Sequence, residues 1–280
     1  MIDLLADPLT VAPQLLGSLV TAHGVTIRLT EVEAYCGESD PASHAFKGRT
    51  PRNNTMFLGP GHLYVYFTYG MHYCMNVVCW PDGRAGGCLI RAGEVVDGEE
   101  IARERRPCVV RSRDLARGPA NLTKTLGITK DADGSLLRVD GSVVASSHAS
   151  DCVVEPLRGQ ATSLSSAVRV DSHASDCVVE PLRGQATSLS SAVRAGSHAS
   201  DCVVVDLTTR DESAEEAGFR VATGPRVGVS GIGGDGVVYP WRYWIEGDPT
   251  VSAYKRGGGS RTRRGQSAAV AARELRLNPE

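Results

Sequence analysis

The stretch Val25-Thr-Ile-Arg-Leu-Thr-Glu-Val-Glu-Ala-Tyr35 decides how the rest of the chain is read. Its alternate positions, Val25, Ile27, Leu29, Glu31, Glu33 and Tyr35, share one face of a strand, because side chains on extended backbone repeat with period two. That face begins apolar and ends in two acids. A carboxylate on a core-directed face is costly unless it is partnered. Either a bulge near Thr30 turns both acids to water, or one is a partly desolvated carboxylate at the strand end, the environment that makes a general base. Glu33 is the centre of the second reading. Of the fifteen aromatic residues, eight lie between Tyr35 and Tyr73, a clustering that suits a site better than a dispersed core.

Upstream, Asp7-Pro8 ahead of Leu9 to Leu16 predicts a short helix ended by Gly17. Ser18 to Thr21 and Val25 to Tyr35 form a hairpin turning at His23-Gly24. Downstream, Cys36 to Gly61 is rich in Gly, Pro, Asn and Asp, which puts His44 and the Arg49 to Asn54 segment on a surface connection. His62 to Tyr69, Tyr73 to Trp80 and Gly87 to Val95 read as strands, the first two separated by Gly70-Met71-His72. Tyr64 and Tyr66 share one face and Val65, Phe67 and Tyr69 the other, so the strand is expected to be buried on both sides, with Tyr69 protruding at its end. Glu99 to Arg106 and Asn121 to Leu126 have helical composition.

From Ser147 a 23-residue block beginning Ser-His-Ala-Ser-Asp-Cys-Val-Val recurs unchanged from Ser172, with a partial third copy from Ser197. The period of 25 residues invites a solenoid reading. Identical copies, poor in large apolar residues and without distinct caps, argue instead for a tandem duplication within a loop, expected to be disordered. Phe219 to Val229 and Val237 to Glu246 resume a folded sheet, and a Gly/Arg-rich tail begins at Gly257.

With 280 residues and a net charge of -2, the chain has length for a full core and no global pull toward nucleic acid. Local basic clusters do exist at Lys47, Arg49 and Arg52, at Arg103 to Arg117, and at Lys255 to Arg264. Three of the eight cysteines occupy one position of the repeat and no Cys-x-x-Cys pair occurs, which favours reduced, mostly buried thiols over a disulfide framework or a zinc site. No apolar run approaches the length of a membrane span and no signal-like segment follows Met1, so a cytoplasmic protein is expected, nucleoid-associated in a bacterium.

Taken in order, Glu31-Val-Glu-Ala-Tyr35, His44, Thr50-Pro-Arg-Asn-Asn-Thr-Met-Phe57, Gly61-His-Leu-Tyr-Val-Tyr66, Tyr69-Gly-Met71, Cys74-Met-Asn76, Leu89-Ile-Arg91, Arg117-Gly-Pro119 and Arg226-Val-Gly-Val229 resemble the alkyladenine (3-methyladenine) DNA glycosylases. The resemblance covers about residues 10 to 135 and 203 to 254. The duplicated block has no counterpart in it, and His72 stands where the family carries an aromatic.

The resemblance implies an α+β fold, a single domain on a curved antiparallel β-sheet with flanking helices. Residues 1–139 and 203–256 would form the glycosylase domain, with the repeat insert over 140–202 and the tail over 257–280. It implies that Glu33 deprotonates water for attack on the sugar C1' carbon, with Arg91 and the backbone carbonyl of Val227 holding that water. Tyr35, His44 and Tyr66 would line the pocket for the damaged base, gated by Asn76. Tyr69 would wedge into the duplex, flanked by Met71 and His72 in the minor groove, and Arg49 and Arg52 would face the DNA backbone. The partner implied is double-stranded DNA containing damaged purines, acted on by a monomer. No metal or other cofactor is expected, and no lysine is placed as a Schiff-base nucleophile.

Three readings compete. A metal hydrolase would use Glu31, Glu33, His44 and His72. A protein that binds damaged DNA without catalysis, or a structural domain with a tyrosine core, would use none of them chemically.

Overall fold

The computed structural model describes residues 2–68, 70–143, 204–209 and 218–258. The chain opens with α1 (Pro8–Leu15), whose N-terminus is capped by the Asp7 carboxylate accepting from the amides of Leu9 and Thr10. Proline at its first position suits a helix start because the missing amide has no partner there anyway. Then come β1 (Leu19–Ala22) and β2 (Val25–Tyr35), joined by a tight turn in which His23 and Gly24 take φ of 46° and 77°. This is the hairpin expected from the sequence, closed by the residues that tolerate left-handed backbone.

The remaining elements are β3 (Leu63–Thr68), β4 (His72–Val78), β5 (Gly87–Asp97), α2 (Glu99–Arg105), α3 (Pro119–Leu126), β6 (Leu137–Val139), β7 (Ser142–Val143), β8 (Val205–Thr208), β9 (Val221–Gly224) and β10 (Arg242–Ile245). They form one curled sheet in the order β3-β4-β5-β2-β1-β8-β6-β7, with β9 attached through β10 to β2. All pairings are antiparallel except β6 with β8, so the expected antiparallel sheet is mixed at one edge. β8 follows β7 only after a long stretch of sequence, and parallel pairing needs a connection of a dozen or more residues.

β2 is the spine because both its edges are used along its length. One edge pairs with β5 from Thr26 to Tyr35; the other pairs with β1 over Val25–Arg28 and with β10 over Glu31–Glu33. Backbones approach so closely at Gly93 that a Cβ there would overlap Ile27 and the Arg28 carbonyl. The main core lies on the side covered by α1 and α3 and includes Leu15, Leu16, Ile27, Leu29, Leu63, Met75, Ile90, Leu122 and Leu126. A smaller cluster of Ala45, Met56, Phe57, Tyr64, Val78 and Ala85 supports the loop that carries His44.

Three expectations need correction. β3 is buried on both faces only as far as Val65; Phe67 is 47% exposed because the β3–β4 hairpin projects beyond the sheet. Much of 219–246 is irregular, with strands confined to β9 and β10. The middle basic cluster mostly holds the fold together, since Arg103, Arg105, Arg106 and Arg117 donate to backbone carbonyls of neighbouring segments. Among the described cysteines, all free, Cys36, Cys74, Cys79 and Cys88 are buried and Cys108 is exposed. No helix among the described residues is long and apolar enough to cross a membrane.

The repeat from Ser147, with its expected disorder, and the tail beyond Gly258 lie outside the described residues. The described chain stops at Val143 in β7 and resumes at Val204, with β6 and β8 neighbours and Asp140 bonded to Thr209 at 2.7 Å. Deleting residues 147–196 is therefore expected to leave the thermal unfolding midpoint of the domain unchanged, and loss of cooperative unfolding would make the repeat structural.

Candidate active site

The register of β2 slips on both sides of Glu31, between Leu29 and Glu31 and again before Val32. A bulge at Thr30 is thus present, yet it does not turn the acids to water: Thr30, Glu31 and Glu33 are all 0% exposed. Thr30 is satisfied by the Thr250 hydroxyl at 2.7 Å.

Glu31 is saturated with donors. Its Oε1 accepts from Arg91 Nε at 2.8 Å, Arg242 Nε at 2.7 Å and the Ser252 hydroxyl at 2.9 Å, and its Oε2 from the Ser252 amide at 2.7 Å. Burial raises the cost of its charge, but the two guanidinium groups outweigh that and hold its pKa below the ordinary value. It has the environment of a structural anion that fixes Arg91.

Glu33 is differently placed. Its Oε2 accepts from the Tyr35 hydroxyl at 2.9 Å and from Arg91 Nη1 at 3.2 Å, while its Oε1 accepts the Val227 amide at 2.6 Å. All three partners donate, which is the arrangement for a carboxylate acceptor. Burial and then the charge of Glu33 push the Tyr35 hydroxyl well above the ordinary phenol value, so it remains a donor. Arg91 stays charged despite burial because Glu33 and Glu31 face it.

The same three donors line a cleft of about 380 Å³, within the roughly 300–1,000 Å³ usual for small-molecule sites. Its other walls include His44, Tyr64, Tyr66, Asn76 and the turn Val227–Ser230. Tyr64 and Tyr66 stack at 5.3 Å, and His44 meets Tyr66 edge-on at 4.6 Å. His44 Nδ1 pairs with the Tyr64 hydroxyl at 3.0 Å, and its backbone carbonyl accepts from Asn53 at 2.9 Å. Desolvation, followed by the nearby charge of Arg52, lowers the His44 pKa from its usual 6.5, so the imidazole is neutral at pH 7. Asn76 is held by donating to the Tyr64 carbonyl at 3.1 Å. The cleft thus collects Tyr35, His44, Tyr66, Asn76, Arg91 and Val227, residues up to 192 positions apart.

The DNA-facing candidates are less uniform. Met71, 69% exposed, and His72 lie at the tip of the β3–β4 hairpin. Tyr69 lies outside the described residues. Arg49 is bonded to Asn54 at 2.7 Å, while Arg52 touches the Phe67 carbonyl at the edge of distance, 3.5 Å.

Sequence reasoning missed the group that supports this wall. Arg226 is 0% exposed and forms a two-pronged pair with Asp40, at 2.5 and 2.7 Å, while donating to the carbonyls of Ala34 and Gly233. Its guanidinium lies 4.6 Å from the Tyr35 ring and 5.1 Å from that of Trp241. It anchors the turn whose next residue presents its amide to Glu33. Arg226 stood inside a quoted motif, but its partner Asp40, in a loop-like Ser39-Asp40-Pro41, carried no local signal. Arg242 and Ser252 were missed for the same reason.

The sequence that builds this arrangement, a donor-bound buried acid beside an aromatic cleft, is similar to those of known proteins. A family model for methylpurine-DNA glycosylase matches residues 3–171. The chain belongs to the methylpurine-DNA glycosylase family. A protein of Streptomyces avermitilis named "Putative 3-methyladenine DNA glycosylase" is 40% identical over 251 residues, covering 88% of this chain and 87% of its own. One of the same name from Leifsonia xyli is 39% identical over 261 residues, covering 90% of each. Another, from Burkholderia lata, is 58% identical over 125 residues, covering 44% of this chain and 60% of its own. The glycosylase is accordingly a DNA-repair enzyme whose substrate is damaged DNA.

Proposed function

We propose that this glycosylase flips alkylated or deaminated purines out of double-stranded DNA, namely 3-methyladenine, 7-methylguanine and hypoxanthine, and hydrolyses the N-glycosidic bond. The observation that carries the reading is Glu33, buried and bound by three donors that are themselves wall residues of the cleft. A purine seated among Tyr35, His44 and Tyr66 brings its sugar C1' toward that wall. Water held between Arg91 and the Val227 carbonyl then gives its proton to Glu33 as its oxygen bonds to C1', and the bonding pair of the C1'–N bond leaves with the base. General-base assistance of this kind contributes about 10²- to 10⁴-fold, sufficient where an alkylated base is already a good leaving group. Among the described residues no lysine lines the cleft, which favours a monofunctional hydrolase leaving an abasic site.

Aromatic rings attract a cationic base by roughly 0.5 to 2 kcal/mol. The neutral His44 keeps that attraction uncontested, whereas a protonated imidazole would repel the base. Release of cationic 7-methylguanine is therefore expected to fall as the pH drops below 6.5, the ordinary imidazole value, more steeply than release of neutral hypoxanthine. In His44→Gln the two substrates should keep a constant ratio across that range. An unchanged ratio in the native chain would remove His44 from the pocket.

Extrusion costs a few kcal/mol of unpairing, least for a damaged base, and an inserted aromatic recovers about 1 to 3 kcal/mol by stacking. Tyr69→Ala is thus expected to weaken lesion binding and flipping together by about tenfold or more, read by fluorescence of a base analogue opposite the lesion. Unchanged kinetics would end the wedge assignment. The whole reading is tested by single-turnover release of the three bases from lesion-containing duplexes, where no release of any of them would overturn it.

A further inference from the structure

Beside the base cleft opens a second one, of about 490 Å³, which shares Val229 and Ser230 with it. One side is the glycine-rich run from Pro225 to Gly236; the other is the strap Tyr254, Arg256 and Gly257. The sides are tied together, since the Gly228 amide donates to the Lys255 carbonyl at 2.7 Å and the Gly257 amide to the Val229 carbonyl at 3.3 Å. The fit is close enough that a Cβ on Gly257 would overlap the Val229 backbone. This is a built wall rather than a loose loop.

Its basic side chains are unpaired: Arg256 and its neighbour Lys255 are exposed, and among the described residues neither side chain has an ion-pair partner. Arg103, Arg105, Arg106 and Arg117 of the middle cluster, by contrast, are tied to carbonyls. The acid lining the second cleft, Asp235, already accepts the amides of Val237 and Val238 on its Oδ1, at 2.8 and 3.3 Å. A free guanidinium beside a hydroxyl and a glycine-rich backbone is a match for a phosphate diester.

We propose that this second cleft holds a backbone phosphate of the lesion strand next to the flipped nucleotide, with Arg256 as its cation and the Ser230 hydroxyl as a second donor. The inference rests on the reading of Glu33 and the base cleft. A nucleotide whose C1' faces Glu33 and Val227 carries its flanking phosphates past the wall formed by Val229 and Ser230. Beyond that wall stands Arg256.

The test measures affinity of the full chain for a duplex carrying a reduced abasic site, which resists further cleavage, across a salt series. Arg256→Ala is expected to bind more weakly and to lower the slope of log affinity against log salt by about 1, the signature of one lost phosphate contact. Arg256→Lys should keep the slope, and Arg84→Ala, an exposed arginine that stacks on Trp80 outside the basic clusters and both clefts, should match the native chain. Replacing single phosphates around the lesion by neutral methylphosphonates should weaken native binding at one position. That penalty should vanish in Arg256→Ala, because contacting groups are not additive. A native slope in Arg256→Ala, or a methylphosphonate penalty that persists in it, would overturn the proposal. If the native chain releases no base yet the slope falls as expected, the phosphate site stands and the catalytic reading of Glu33 does not.

Discussion

Glu33→Gln is expected to release alkylated purines at least about 100-fold more slowly than the native chain while still binding lesion duplexes. The amide is nearly isosteric with the carboxylate but is a far weaker base and cannot take the proton of water. It also carries an NH₂ group into a place where the Tyr35 hydroxyl, Arg91 and the Val227 amide all donate. One donor must then turn away or stand unpaired, at about 1–3 kcal/mol of stability. Urea unfolding separates that cost from the catalytic one, and single-turnover release by folded protein gives the latter. A rate within tenfold of native would show that Glu33 is not the base.

Asp40→Ala is expected to lower folding stability by about 3–5 kcal/mol, the usual result of leaving one member of a buried ion pair alone. Both partners are 0% exposed, and among the described residues Arg226 has no other carboxylate as a hydrogen-bond partner. Its charge would remain, facing Tyr35 at 4.6 Å. With Asp40 present that charge is balanced, so the Tyr35 ring is free to attract a cationic base from its other side. Without it the ring is polarised from behind, and release of 7-methylguanine should suffer more than release of hypoxanthine. Chemical denaturation checks the first effect and the substrate ratio checks the second. A loss below about 1 kcal/mol would mean that Arg226 finds water or another anion.

Much of the molecule was legible in the residues. The α1 cap, the His23-Gly24 hairpin, the three strands after Gly61 and the two helices follow from local rules that act over a few residues. The paired acids of β2 were legible as a conflict, since a pattern that places carboxylates on a buried face requires partners somewhere in the chain. Family resemblance assigned Tyr35, His44, Tyr66 and Asn76 to the base pocket and Arg91 and Val227 to the water, and all six line the cleft. A bulge near Thr30 was the alternative in which both acids turn to water; the bulge is present, yet Glu31 and Glu33 stay buried because Arg91, Arg242, Ser252, Tyr35 and Val227 close around them.

By itself, then, the sequence determined α1, the β1–β2 hairpin, β3 to β5, α2 and α3, the family-like order of motifs and the candidacy of Glu33, whereas β6, β7 and β8 carried no expectation. Only the tertiary structure decided how the two acids differ. Glu31 is neutralised by Arg91, Arg242 and Ser252, at separations of 60 to 221 residues. Glu33 is left facing Tyr35, Arg91 and the Val227 amide at the wall of the cleft. In extended backbone two acids two residues apart are locally equivalent. What separates them is which distant donors the curl of the sheet delivers to each, and a buried charge is governed by those partners rather than by its neighbours in sequence.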